Sequence, residues 1–165
     1  MAKDQSFDVV SQVDMQEVDN AVQQATKEIA QRYDLKDTKS TIALDRAASA
    51  ITLSAPSDFV LTQVKDVLVT KLVRRTIDIK AVGWGKVESA SGGSVRTVGQ
   101  VVNGIDAEIA RKINKDVRDQ KLKVKVQIEG DKVRVSSASR DELQAVIAFL
   151  KAEDYGIPLQ FTNYR

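Results

Sequence analysis

At 165 residues, with 42% hydrophobic and 29% charged side chains and a net charge of +2, the chain has the balance of a globular protein rather than a disordered one. It contains neither cysteine nor histidine, which excludes disulfides, thiol chemistry, Cys/His zinc sites and a Ser-His-Asp triad. Carboxylate pairs, carboxylate-only metal sites and lysine nucleophiles are the chemistry left, so a binding role without catalysis, cofactor or metal is expected. No apolar run approaches the ~20 residues that span a bilayer, and residues 1–6 lack the apolar core of a signal peptide. A cytoplasmic location with no membrane partner is therefore expected.

Residues 6–13, Ser-Phe-Asp-Val-Val-Ser-Gln-Val, are rich in strand formers. Val9 and Val10 are both apolar, which suits a strand covered on both faces, lying between two units or exchanged between them. Asp14 and Glu17 have the spacing of a capping box, and Val18, Val22, Ala25 and Ile29 continue at helical intervals. Residues 41–45 and 51–55 alternate, with Ile42, Leu44, Ile51 and Leu53 on the inward face. Pro56 and Ser57 end this hairpin, and a second helix follows with Val60, Val64, Val67, Leu68 and Leu72 on its apolar side. Ile77 and Ile79, with Asp78 and Lys80 opposite, predict a closing strand. The glycine-rich stretch 82–93 reads as a mobile connection or a loose hairpin.

The same order then recurs. Residues 94–102 form a strand ended by Gly104, and Asp106 and Glu108 favour the positive end of the next helix, which buries Ile109, Ile113 and Val117. Residues 121–129 alternate strictly, with Leu122, Val124, Val126 and Ile128 on one side. Gly130-Asp131 turns the chain into 132–136, where Val133 and Val135 face inward. Ser139 and Glu142 make a second capping box, opening a helix with Leu143, Val146, Ile147 and Leu150 buried. Gly156 and Pro158 stop that helix before a last strand over 159–164. Strand, helix, two strands, helix, strand is thus written twice, over 7–80 and 95–164. That is the ferredoxin-like order, an antiparallel sheet with both helices on one face. The expected fold class is α+β, with one unit over 1–81, a connection over 82–94 and a second unit over 95–165.

Several blocks carry a resemblance. Ser6-Phe7-Asp8-Val9-Val10-Ser11, the run from Lys121 to Val135, Ser139-Arg140-Asp141-Glu142-Leu143, and the ending Pro158-Leu159-Gln160-Phe161-Thr162-Asn163-Tyr164-Arg165 resemble the YajQ family almost from end to end. The resemblance implies tandem ferredoxin-like, ribonucleoprotein-like domains that exchange their N-terminal strands. It also implies bacterial cytosolic proteins described as nucleotide-binding, some linked to cyclic di-GMP, GTP or RNA. Two departures are visible: Leu35 stands where the family often has an aromatic between Asp34 and Lys36, and residues 81–96 match only loosely. If that aromatic stacks on a ligand in relatives, the contact is missing here.

Candidate binding residues come from the second hairpin. With its valines turned inward, Lys123, Lys125, Lys132 and Arg134 share the outer face, and Lys121 lies at the entry to it. Such cations attract phosphate at ~1 kcal/mol or less per exposed contact, and salt weakens them. Exposed lysines also protect a sheet edge without any ligand. Arg96 is added because it follows Ser91-Gly92-Gly93-Ser94, whose backbone N–H groups can approach a phosphate; a plain linker is the simpler reading of that loop. Gly83-Trp84-Gly85-Lys86 lacks P-loop spacing and reads as a turn.

From residue 95 onward thirteen Lys and Arg stand against ten Asp and Glu, and before it twelve stand against thirteen, which favours the second unit for an anion. The strands 51–55 and 132–136 carry no aromatic, which argues against base stacking in the manner of RNA-recognition motifs. The expected function is a non-enzymatic nucleotide-binding protein, of the cyclic di-GMP, GTP or RNA class, acting as a cytosolic regulator or adaptor. Its expected partners are a nucleotide or short RNA, and regulatory proteins. The alternative is a protein-interaction scaffold whose exposed strands pair with a partner.

Overall fold

The computed structural model describes residues 4–165. Strand β1 (Gln5–Val10) leads to helix α1 (Met15–Gln31), the hairpin β2 (Thr41–Asp45) and β3 (Ala50–Ala55), and helix α2 (Asp58–Arg74). Two short strands, β4 (Val82–Trp84) and β5 (Glu88–Ser89), precede the longer β6 (Val95–Val101). Helix α3 (Ala107–Asp119), the hairpin β7 (Lys125–Glu129) and β8 (Lys132–Ser137), helix α4 (Arg140–Ala152) and β9 (Gln160–Thr162) complete the series. Among the described residues no helix is long and apolar enough to cross a membrane.

Each helix opens on a side chain that accepts an otherwise unpaired backbone N–H: Asp14 from Gln16, Ser57 from Val60, Asp106 from Ile109 and Ser139 from Glu142. The reciprocal half of the expected capping boxes is diverted. Glu17 accepts from the Asn20 amide and pairs with Arg75 at 3.4 Å instead. The Ser139 N–H donates to Ser137 Oγ at 3.1 Å.

The sheets show how the two repeats are assembled. One has the strand order β7-β8-β1-β9, the other β2-β3-β6-β4 with β5 also on β6. All of these pairings are antiparallel. The fold is therefore α+β with two ferredoxin-like sheets, and each sheet takes its first strand from the other half of the sequence. Strand β1 lies between β8 and β9, 126 positions from its partner in register at Arg134. Strand β6 lies between β3 and β4. The compact units are residues 13–102, and residues 103–165 together with the N-terminal segment through residue 12. This redraws the division expected at 81 and 95, because backbone pairing follows the exchanged strands and not their order along the chain.

In the unit over 13–102, α1 buries Val18, Ala21, Val22, Ala25 and Ile29, and α2 buries Leu61, Val64, Val67, Leu68 and Leu72. Leu61 takes the fully buried place expected of Val60, which is only half-buried. Both helices close on Ile51, Leu53, Val82 and Val101. The closing strand is not Ile77–Lys80. Asp78 caps a short 3-10 turn over Ile79–Ala81 by accepting from the Lys80 N–H at 2.8 Å, and Ile79 is exposed. The strand is β4, inside the stretch expected to be a connection. Its Trp84 ring lies over Gly99 of β6, where an added Cβ would come within 2.7 Å of the indole. Lys65 Nζ sits 5.2 Å from the same ring.

In the other unit, Phe7 and Val9 of β1 join Ile105, Ala110, Ile113, Val117, Val133, Val135 and the apolar side of α4 in a second core. All four residues Phe7 to Val10 are buried, as expected of a strand covered on both faces. The helix α3 buries Ala110 where Ile109 was expected. The hairpin turns at Gly130, whose φ of +62° joins Glu129 to its partner Lys132 in two residues. Ile128, paired with the buried Val133, lies on the expected face but is exposed.

Candidate functional site

The basic hairpin is the first candidate, and the structure divides its residues into three groups. On the outer face of β7-β8-β1-β9, register places Gln127, Arg134, Asp8 and Thr162 in one row across the sheet. Asp8 is only 2% exposed. Its carboxylate accepts from Arg134 Nε at 3.0 Å and Asn163 Nδ2 at 2.8 Å, and pairs with Lys132 Nζ at 3.5 Å. Burial opposes its ionisation, but the hydrogen bonds from Arg134 and Asn163 and the charges of Arg134 and Lys132 outweigh it and hold the carboxyl below the ordinary range. Arg134 also reaches Glu129 at 3.5 Å. Lys132 and Arg134 are thus occupied by acids of their own sheet.

Lys121, Lys123 and Lys125 form the second group. They are exposed and make no ion pair with any described residue. Arg96 stands alone as the third: it lies on β6 in the other unit, exposed, with Glu88 at 3.7 Å. The Ser91–Gly93 loop before it is a tight turn closed by the Ala90 N–H donating to Ser94 O at 2.8 Å, not a linker. The exchange also removes the expected charge asymmetry. Among the described residues the unit with the hairpin has twelve cations and twelve acids, the other twelve and eleven.

A second candidate was not among the expected site residues. A cleft of about 540 Å³ opens between the start of β1, helix α4 and the chain after β9. Its floor is Phe7, Leu143 and Ile147; its rim is Gln5, Ser6, Arg140, Gln144, Tyr164 and Arg165. Local geometry fixes the rim. The Ser6 N–H donates to Arg165 O at 3.2 Å and the Arg165 N–H to Ser6 O at 3.0 Å, which continues the sheet past Asn163. Tyr164 leans on Phe7 with ring centroids 6.1 Å apart and stays 62% exposed. Arg140, in the first turn of α4, and Arg165 are exposed and have no ion-pair partner among the described residues. Among the described residues no Asp or Glu side chain lines the cleft. The sequence signal was the Tyr164-Arg165 pair beside a predicted terminal strand. Pattern alone did not reveal that Arg140, 24 positions earlier, faces the same space.

Among the described residues no group of three His, Cys, Asp or Glu could hold a metal ion. The outer faces of the central strands carry no aromatic: Ser6, Asp8 and Val10 on β1, Lys132, Arg134 and Ser136 on β8, Thr52 and Ser54 on β3, Arg96, Val98 and Gln100 on β6. Stacking of bases across either sheet is therefore unavailable.

A family model described as "Nucleotide-binding protein YajQ-like" matches residues 5–165. The chain belongs to the YajQ family. A protein of Alkaliphilus oremlandii (strain OhILAs) called "Nucleotide-binding protein" is 50% identical over 165 residues, the full length of both chains. Proteins of the same description from Bacillus cereus (strain Q1) and Bacillus anthracis (strain A0248) are 50% identical over the same span. The exchange of N-terminal strands that a YajQ resemblance implies is the arrangement seen in the two sheets. Leu35, where relatives were expected to carry an aromatic, is 1% exposed and belongs to the core of the unit over 13–102. Its side chain fills the interior, so the position offers no stacking surface to a ligand.

Proposed function

We propose that the protein is a non-enzymatic nucleotide-binding regulator and that the cleft between β1, α4 and Tyr164-Arg165 takes the nucleotide. One observation carries this reading: an exposed aromatic and two uncompensated arginines converge on a concave, apolar-floored space. The volume of about 540 Å³ lies within the ~300–1,000 Å³ of small-molecule sites. Base stacking on Tyr164 and charge-assisted hydrogen bonds from Arg140 and Arg165 to phosphate supply affinity. The Gln5 and Gln144 amides both donate and accept, so they suit a base edge. The described lining offers no Asp, Glu or His side chain to move a proton, which supports capture over turnover. The ligand class that fits is GTP, cyclic di-GMP or the end of a short RNA, and the setting is the cytosol, where such ligands are free.

Titration calorimetry with GTP, cyclic di-GMP and a short RNA tests the assignment. Tyr164→Ala should weaken the preferred ligand by about tenfold or more, since one base stack contributes about 1–3 kcal/mol. Arg140→Glu should do the same with a reduced salt dependence. Unchanged affinity in both folded variants, with a loss on Lys123→Glu, would move the site to the hairpin. The relatives named as nucleotide-binding agree with this reading but do not locate the site.

A further inference from the structure

The lysines left without partners on the hairpin sit on an open sheet edge. Strand β7 ends the order β7-β8-β1-β9 and pairs only with β8. Such a strand turns unpaired N–H and C=O groups outward and is a template for another strand. Beside it a groove of about 370 Å³ runs between α3 and residues 122–127. Val117, Leu122, Val124 and Val126 give this groove an apolar side, and Arg118 and Lys125 border it. Lys121 and Lys123 extend the same charge along the approach to the strand. None of these four cations makes an ion pair with a described residue; Arg118 donates only to the Asn114 amide oxygen, at 3.4 Å.

We infer that the free edge of β7 is a docking site for an extended, acidic segment of another protein, which adds a fifth strand to the sheet. The charges select the occupant. Within β7 an antiparallel second copy would set one lysine, Lys125, against one acid, Glu129, whereas an acidic segment answers Lys121, Lys123, Lys125 and Arg118 together. An alternating acidic strand meets those lysines with opposite charge on one face and places its apolar residues in the groove on the other. Nucleic acid would use the charge but neither the backbone edge nor the apolar floor, and the groove has no aromatic for a base. This site is separate from the nucleotide cleft, and either can fail without the other.

The probe is a synthetic heptapeptide of alternating Glu and Val, followed by fluorescence anisotropy and by backbone NMR of the full chain. Binding should shift amides of residues 114–127, and Lys123→Glu with Lys125→Glu should weaken it by about tenfold or more, since both attractions become repulsions. A version N-methylated on alternate amides keeps every charge but cannot pair as a strand, and it should bind at least about tenfold more weakly. Equal binding of the two peptides would reduce the site to bulk electrostatics and overturn the proposal. So would binding of a short RNA at these residues without the peptide, absence of peptide binding, or concentration-dependent self-association in sedimentation that is lost on Lys125→Glu.

Discussion

The two exchanged strands make an instructive pair. Strands β1 and β6 both open a repeat, both occupy a central place in the sheet of the other half, and both turn apolar or small residues inward. Their outer faces differ. β1 carries Asp8, buried and held by Arg134, Lys132 and Asn163. β6 carries Arg96, more than half exposed, 3.7 Å from a still more exposed Glu88. Its secure attachments are steric and local: Gly99 under Trp84, and the buried Thr97 hydroxyl donating to Gly85 O at 3.0 Å. Had β1 paired beside β3 instead, Asp8 would have met Thr52 and Ser54 and lost the three groups that hold it. One strand is thus directed to its sheet by a charge, the other by shape.

The largest expected effect breaks the first of these devices. Asp8→Ala leaves Arg134 and Lys132 facing a buried position without their acid, and removal of one partner of a buried pair costs about 3 kcal/mol or more. Arg134 retains Glu129 and partial hydration, which places the loss at the low end. Denaturant unfolding measures it, and hydrogen exchange should show β1 opening before β8. The pH dependence follows from the same carboxyl. Because its folded value is depressed, its stabilisation is complete above the ordinary Asp value of about 3.9 and is lost as pH falls through the lower, folded value. The stability gap between the native chain and Asp8→Asn should therefore be constant near neutrality and close in acid below about pH 4. A gap that persists unchanged at pH 2 would show that Asp8 acts by packing and not by charge.

Next comes the steric device. An added Cβ at Gly99 would lie 2.6 Å from Val82 and 2.7 Å from the Trp84 ring. Gly99→Ala should thus cost about 1–3 kcal/mol, the range for overpacking, and shift Trp84 fluorescence as the ring moves. Exchange protection should fall along β4 and β6, while β1 keeps its protection.

Much of this fold is legible in sequence. Helical and alternating periodicities locate all four helices and the two hairpins, because those signals are local. The partner of each first strand is not local. Phe7 and Val9, like Thr97 and Gly99, show an inward face in sequence without naming the sheet they join; what decides lies at Arg134, 126 positions from Asp8, for one strand, and in the fit of Gly99 under Trp84, 15 positions before it, for the other. Ile77 to Lys80 alternate like a strand, yet Asp78 spends its side chain on capping a turn. Two of the expected binding residues are occupied for a related reason. Lys132 and Arg134 point outward as expected, but the acid that occupies them arrives on β1, 124 and 126 positions away. The cleft was hidden in the same way, since Arg140 and Tyr164 meet only when the chain after β9 pairs with Ser6.

The smallest expected effect sharpens the comparison. Arg96 and Glu88 face each other across β5 and β6 with most of each side chain in water. Exposed pairs of this kind contribute about 0–1 kcal/mol, because hydration and screening offset the attraction and ordering two long side chains costs entropy. Arg96→Ala should consequently leave the unfolding midpoint nearly unchanged, and a double-mutant cycle with Glu88→Ala should give a coupling below about 1 kcal/mol that fades with added salt. The equivalent cycle between Asp8 and Arg134 should give a larger coupling that salt barely alters, since burial excludes the screening ions. Equal couplings in the two cycles would mean that the outer charges play the same part in both strands, and that the inner faces alone decide which sheet each one joins.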